Sequence, residues 1–147
     1  MEKKHPAELF FSSEHPISSY LNVKLVSASH TELVMSVVAP DSFVIDVQTG
    51  ELHSGFATLM LDTVMGGTVF GGLEVMQPIA TAGLTAQHMR RPRRGEQLLC
   101  IAQLQGIHRD MAHMNGKLVT GDQKEILSTA TGTFMIGTRA KPLGARV

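Results

Sequence analysis

Apolar residues crowd into one segment of the chain and alternate with polar ones over much of the rest. In His53–Gly72, HSGFATLMLDTVMGGTVFGG, they are Phe56, Ala57, Leu59, Met60, Leu61, Val64, Met65, Val69 and Phe70. At 3.6 residues per turn they occupy every side of the wheel, which predicts a helix buried on all faces. The segment is too short and too interrupted by glycine to cross a membrane, which takes about 20 apolar residues. Gly66-Gly67 and Gly71-Gly72 mark the weakening and end of this helix and allow a close neighbour. Before it, Asn22–Ser27 and Glu32–Ala39 read as strands around the polar turn Ser29-His30-Thr31, with Pro40 and Asp41 stopping the second. Ser42–Leu52 is a loop. After it, Ile79–Arg90, Gln97–Gly106, Met111–Val119 and Ile126–Ile136 read as four strands, with Leu98, Cys100, Ala102 and Leu104 sharing one face. Turns fall at Arg91–Gly95, Arg109-Asp110 and Gly121–Lys124, and Asn115-Gly116 predicts a bend or bulge. At the ends, Ala7–Phe11 is an apolar arm expected to cover one end of a sheet. Ile17–Leu21 is a turn of helix, and Gly137–Val147 is a polar tail expected to fray.

Two strands, one buried helix and four strands, with no helices interleaved among the four, imply an antiparallel sheet. A single apolar helix is fully buried only if that sheet curls around it. The fold class is therefore α+β, a curved antiparallel sheet around one central helix. With 147 residues, no repeat and no linker, the chain is expected to form a single domain, its core spanning about residues 16–136.

Composition removes several classes of function. A formal net charge of zero argues against a general nucleic-acid binder. The one cysteine, Cys100, excludes an intrachain disulfide, and its place in an alternating run makes it a small core residue. The charged start, Met1–Pro6, is unlike a secretory leader, so a cytoplasmic location is expected. The scattered histidines form no H-E-x-x-H and no cysteine pair accompanies them, so no metal is expected. There is no G-x-S-x-G elbow.

Within the apolar helix one residue does not fit. Asp62 has no Lys or Arg within a turn, and a buried unpaired carboxylate must be neutralised, hydrogen-bonded or kept near water. A chain that tolerates such a group often uses it for chemistry. At the helix start, Ser54 is placed to cap through its hydroxyl, and the first backbone N–H groups carry partial positive charge suited to a polarised carbonyl. Asp62 follows His53 by nine residues, about 13–14 Å along a helix. The two ends cannot grip one small group within one chain, which points to two antiparallel copies with the site at their seam.

These segments resemble a known family. His53-Ser54-Gly55 followed by Leu61-Asp62-Thr63-Val64-Met65-Gly66 is similar to the H-G-G…L-x-D-x-x-x-G pattern of the PaaI-like acyl-CoA thioesterases of hotdog fold. Thr81-Ala82-Gly83-Leu84-Thr85-Ala86-Gln87-His88-Met89-Arg90 resembles the family's T-V-S-L-T-V-D-F-L-R-P strand, and Gly132-Thr133-Phe134 its closing G-T-F. The resemblance covers about Pro16 to Ile136. It implies hydrolysis of an acyl-CoA thioester at a site between protomers of a homodimer or dimer of dimers, with no cofactor. It implies Asp62 as general base or nucleophile, the N–H groups of Ser54 and Gly55 as the carbonyl-polarising donors, His53 beside them, and Thr81 as the hydroxyl that helps place the water.

The chain departs from the pattern at Ser54, which replaces the first glycine, and at Val47, where many members carry Asn or Gln; Gln48 stands beside it. An extra Arg91 precedes Pro92. Arg90, Arg91, Arg93 and Arg94 form the densest positive cluster and are candidates for the coenzyme A phosphates, or else a solvated hairpin tip. Met60, Met65, Met76 and Met89 are either core or lining for an acyl chain. Two other readings stay open: a non-catalytic acyl-CoA-binding module of the same fold, and a hydratase or dehydratase, whose Asp-x4-His pair or H-F-P-G loop is missing here.

Overall fold

The computed structural model describes residues 4–12 and 16–138; residue 139 onward, most of the expected polar tail, lies outside the described residues, as do Met1–Lys3 of the charged start. Two short helices, α1 (Pro6–Ser12) and α2 (Pro16–Leu21), precede strands β1 (Lys24–Ala28) and β2 (Glu32–Val37). A short turn of tighter helix, Asp41–Phe43, opens the loop that leads to α3 (Gly55–Gly71). Four strands follow: β3 (Ile79–His88), β4 (Leu98–His108), β5 (Met111–Thr120) and β6 (Ile126–Ile136). The described strands form one antiparallel sheet in the order β1-β2-β4-β5-β6-β3. The last strands pair as sequential hairpins, while β3 crosses over to pair with β6 and so becomes an edge.

Alternation sets which face meets the helix. Met35, Cys100, Leu118 and Ser128 pair in one row across four strands, and His88 of β3 ends that row. The neighbouring row is Leu33, Ala102, Gly116, Ala130 and Ala86. Its small residues make the trough in which α3 lies. A β-carbon on Gly116 would meet Leu61 Cδ2 at 3.1 Å and Met65 Cγ at 3.2 Å. From the helix side, Phe56, Met60, Leu61, Val64 and Met65 fill the space, all completely buried. Burying such a side chain is worth about 1.5–3 kcal/mol, so this one contact surface accounts for much of the fold.

Four expectations need correction. First, α3 is not buried on all sides. Ser54, Gly55, Thr58, Leu59, Asp62 and Thr63 are only half-buried. Their spacing of three and four residues makes them one stripe, left open because β3 flanks the helix without covering it. Second, Gly66-Gly67 do not weaken the helix, which runs unbroken to Gly71. Their other expected role holds, since Gly67 allows a close neighbour: a β-carbon on it would lie 2.8 Å from Phe11 Cε2. Third, the arm packs on the second half of α3 as well as reaching the β1–β2 end of the sheet. Phe10 stacks against Phe70 with centroids 5.3 Å apart. His5 accepts the Ala7 N–H on Nδ1 at 3.2 Å and so donates from Nε2 to Ser29 O at 3.0 Å. Fourth, Asn115-Gly116 makes no bulge; between β4 and β5 the register shifts at Leu104/Gly106.

Cys100 is a core residue, its thiol pushed well above the usual range by complete burial. Met60 and Met65 are core as well, whereas Met76 and Met89 are exposed.

Candidate functional site

Asp62 sits in the open stripe, on the side of α3 flanked by β3. The hydroxyl of Thr81 donates to its Oδ1 at 2.7 Å. A register shift between Thr81 and Gly83 in the pairing with β6 lies next to this contact. The second carboxylate oxygen has no hydrogen-bond partner among the described residues. The half-buried carboxylate is therefore oriented by one neutral donor and keeps its second oxygen free of partners among the described residues. It is a group that can accept a proton from a bound water.

The helix start is arranged differently from the expectation. Ser54 precedes α3 with helical backbone angles, and its hydroxyl makes no capping bond. His53 does that work. Its Nδ1 accepts the Gly55 N–H at 2.9 Å, and its carbonyl accepts the Phe56 N–H at 3.0 Å. Gly55 is needed for this, since a β-carbon there would lie 2.8 Å from His53 Nδ1. Of the two backbone donors singled out in the sequence, Gly55 N–H is therefore occupied by an imidazole, and Ser54 N–H has no partner among the described residues. Ser54 and Asp62 are separated by about 12 Å of helix rise, so one chain does not bring them together.

At the departure from the family pattern, Val47 is 83% exposed. It belongs to a turn closed by Asp46, whose carboxylate accepts the N–H groups of Gln48 and Thr49 at 2.8 and 3.2 Å. Those donors hold the Asp46 carboxyl below its usual range.

The arginine cluster divides. Arg90 is locked between two carboxylates, donating to Glu96 at 2.8 and 3.2 Å and to Glu125 at 2.8 and 3.0 Å. These bonds raise its pKa, with Glu125 the larger contributor, and Arg90 in turn lowers that of Glu125. Arg94 pairs with Asp41, from Nη2 at 2.6 Å and Nε at 3.0 Å, and lowers the pKa of that carboxyl. The side chains of Arg91 and Arg93 are exposed and make no hydrogen bond or ion pair among the described residues.

Three polar residues, one on α3 and two on the strands beside it, were not candidates for the site in the sequence, where His88 read only as a strand residue near the surface. Thr58 lies one turn before Asp62 on the stripe, and its Oγ1 is 3.4 Å from Nε2 of His88. The Nδ1 of that ring is 2.8 Å from the hydroxyl of Ser128, which is completely buried. The signal was present: His88 is in phase with Leu84 and Ala86 on the helix-facing side of β3. Among the described residues no cluster of three His, Cys, Asp or Glu side chains is placed to hold a metal ion. No described helix is long and apolar enough to cross a membrane.

A curved six-stranded antiparallel sheet around one long helix is the hotdog fold, and thioesterase-superfamily proteins share this architecture. A thioesterase family protein from Silicibacter pomeroyi superposes with a TM-score of 0.79 at 17% identity, over 90% of this chain and 96% of its own. The PaaI protein of the E. coli phenylacetic acid degradation operon does so with a TM-score of 0.77 at 13% identity, over 90% and 91%. A hypothetical thioesterase from Streptococcus pneumoniae TIGR4, solved with coenzyme A, gives 0.74 at 14% identity, over 90% and 98%. At these identities the likeness is one of fold. No family model matches the chain, and no match is found among curated proteins.

Proposed function

We propose that the protein is an acyl-CoA thioesterase that works as a dimer or dimer of dimers, with Asp62 as its general base. The observation that carries this reading is the half-buried carboxylate on the open stripe of α3, oriented by Thr81 and left with one free oxygen. In the proposed reaction that oxygen takes a proton from water as the water attacks the thioester carbonyl. The tetrahedral oxyanion is received by backbone N–H groups at the start of α3 in a second protomer, Ser54 first among them. Collapse releases the acid and the coenzyme A thiolate, and the proton leaves Asp62 for the departing sulfur. The need for two copies follows from the rise between Ser54 and Asp62. The free edge of β3 offers unpaired backbone groups beside the site where a second sheet can join. Arg91 and Arg93, whose side chains make no hydrogen bond or ion pair among the described residues although Arg93 lies near enough to Glu125 to lower its pKa, are the proposed contacts for the coenzyme A phosphates.

General-base assistance is worth about 10²–10⁴-fold. Release of free thiol from a panel of acyl-CoA substrates is expected for the native protein, and Asp62→Asn is expected to lose that factor while keeping its melting temperature. Full activity in the variant removes the mechanism. A second reading, binding without turnover, is favoured by the imidazole of His53 sitting on the Gly55 N–H. Saturable acyl-CoA binding with no thiol release in the same panel would select it.

A further inference from the structure

The wall of β3 that faces α3 runs from Thr81 through Leu84 and Ala86 to His88. It begins beside the candidate catalytic acid and ends at a second polar group. Between the two ends the strand presents only apolar side chains, and the helix presents Leu59 on its half-open stripe. At the far end, His88 is held asymmetrically. Its Nδ1 is fixed at 2.8 Å to the hydroxyl of Ser128, a side chain completely buried in the sheet. Among the described residues its Nε2 meets only the Thr58 hydroxyl, at 3.4 Å, a distance at which little hydrogen-bond energy remains. The neutral ring has one nitrogen that donates and one that accepts. One is committed to Ser128, and the other is free to exchange Thr58 for a ligand atom on the exposed side of the ring.

We infer that His88 is a specificity-determining residue: with Thr58 it forms the polar end of the acyl subsite and selects acyl groups that carry a distal hydrogen-bonding oxygen. This rests on the thioesterase reading and adds to it the chemical class of the acyl group. Thr58 and Asp62 are one helical turn apart, about 6 Å. The preferred substrate thus has a short apolar stretch against Leu84 and Ala86, followed by a hydroxyl or carbonyl oxygen that reaches Nε2. A plain acyl chain of the same length leaves the imidazole facing hydrocarbon, and a polar group stripped of partners costs about 1–3 kcal/mol.

The test compares hexanoyl-CoA with ω-hydroxyhexanoyl-CoA by free-thiol release, in the native protein, His88→Phe, His88→Gln and Thr58→Val. The native protein is expected to favour the hydroxylated substrate in kcat/KM by about tenfold, mainly through KM. His88→Phe is expected to reverse that ratio, His88→Gln to restore part of it, and Thr58→Val to reduce it even where the histidine variants do not fold. An equal fall for both substrates in all three variants would mark His88 as a structural residue and overturn the inference. So would the absence of any preference in the native protein, with hydrolysis still abolished by Asp62→Asn; the thioesterase reading would then survive alone. No thiol release from either substrate overturns both.

Discussion

Thr81 and Asp62, nineteen positions apart in the chain, are joined by a 2.7 Å hydrogen bond from the hydroxyl of one to the carboxylate of the other. The bond ties one carboxylate oxygen to β3 and leaves the other without a partner among the described residues.

Removing that donor should leave the acid in place but free to turn. Thr81→Ala is expected to lower kcat for thioester hydrolysis by about 10–100-fold with little change in KM, since misplacement of a reacting group by about 1 Å can cost as much. Thr81→Ser, which keeps the hydroxyl, should recover most of the rate. Steady-state kinetics on both variants decide it; an unchanged kcat in Thr81→Ala would show that the bond does not matter for turnover.

His53 occupies the Gly55 N–H, a donor proposed to act on the substrate, so its removal should have opposite effects on folding and on binding. His53→Ala is expected to lower stability by about 1 kcal/mol, the usual loss of a helix N-cap. It should also lower KM for acyl-CoA, because the freed N–H no longer has an internal competitor. Denaturant unfolding and substrate titration measure the two. A higher KM would mean that the imidazole itself holds the substrate.

The arginines should separate by their partners. Arg91→Glu together with Arg93→Glu is expected to raise KM for acyl-CoA several-fold, more at low salt than at high. Glu125, whose carboxyl is held below its usual 4.5 by Arg90, should make a pH-dependent contribution to stability. With the folded value depressed, its contribution is present at neutral pH and is lost as pH falls below 4.5 through the folded value. The melting temperatures of the native protein and Glu125→Gln should therefore differ slightly at pH 7 and converge in acid. Because the pair is exposed, high salt should narrow the gap too.

Gly67 tests the seat of the N-terminal arm. In a helix interior Gly→Ala gains about 0.8–1 kcal/mol from propensity. Here the new methyl would lie 2.8 Å from Phe11 Cε2 and 3.2 Å from Leu33 Cδ2, and overpacking of this kind costs about 1–3 kcal/mol. The clash should win, and Gly67→Ala should lower the melting temperature. In a Phe11→Ala background the same substitution should cost much less or stabilise.

Much of the fold was legible because its signals are periodic. The alternation from Ser128 to Ile136 matches the observed burial along β6, though Leu127, which it sets on the opposite face, is fully buried, and the segment apolar on all sides of the wheel is the long helix inside the sheet. The open stripe was not legible, because Thr58, Leu59 and Thr63 look like core spacers until β3 is known to run beside them. Asp62 stood out as a lone acid. The resemblance singled out Thr81 as a hydroxyl that places water, not as a partner of Asp62, and nothing local links residues so far apart. The occupied Gly55 N–H was out of reach for a different reason: it depends on a side-chain rotamer of His53, which sequence pattern does not encode. The split within the arginine cluster depends likewise on where Glu96, Glu125 and Asp41 fall in space.

The burial of Cys100 has a practical side. Its sulfur lies 3.6 Å from the Met60 carbonyl in the interior and is held protonated, so it is closed to disulfide reagents and maleimides while the chain stays folded. Colour from a thiol-reactive dye in an assay mixture thus comes from released coenzyme A and not from the protein. With no substrate present, slow labelling at this one position would time the rate at which the native interior opens.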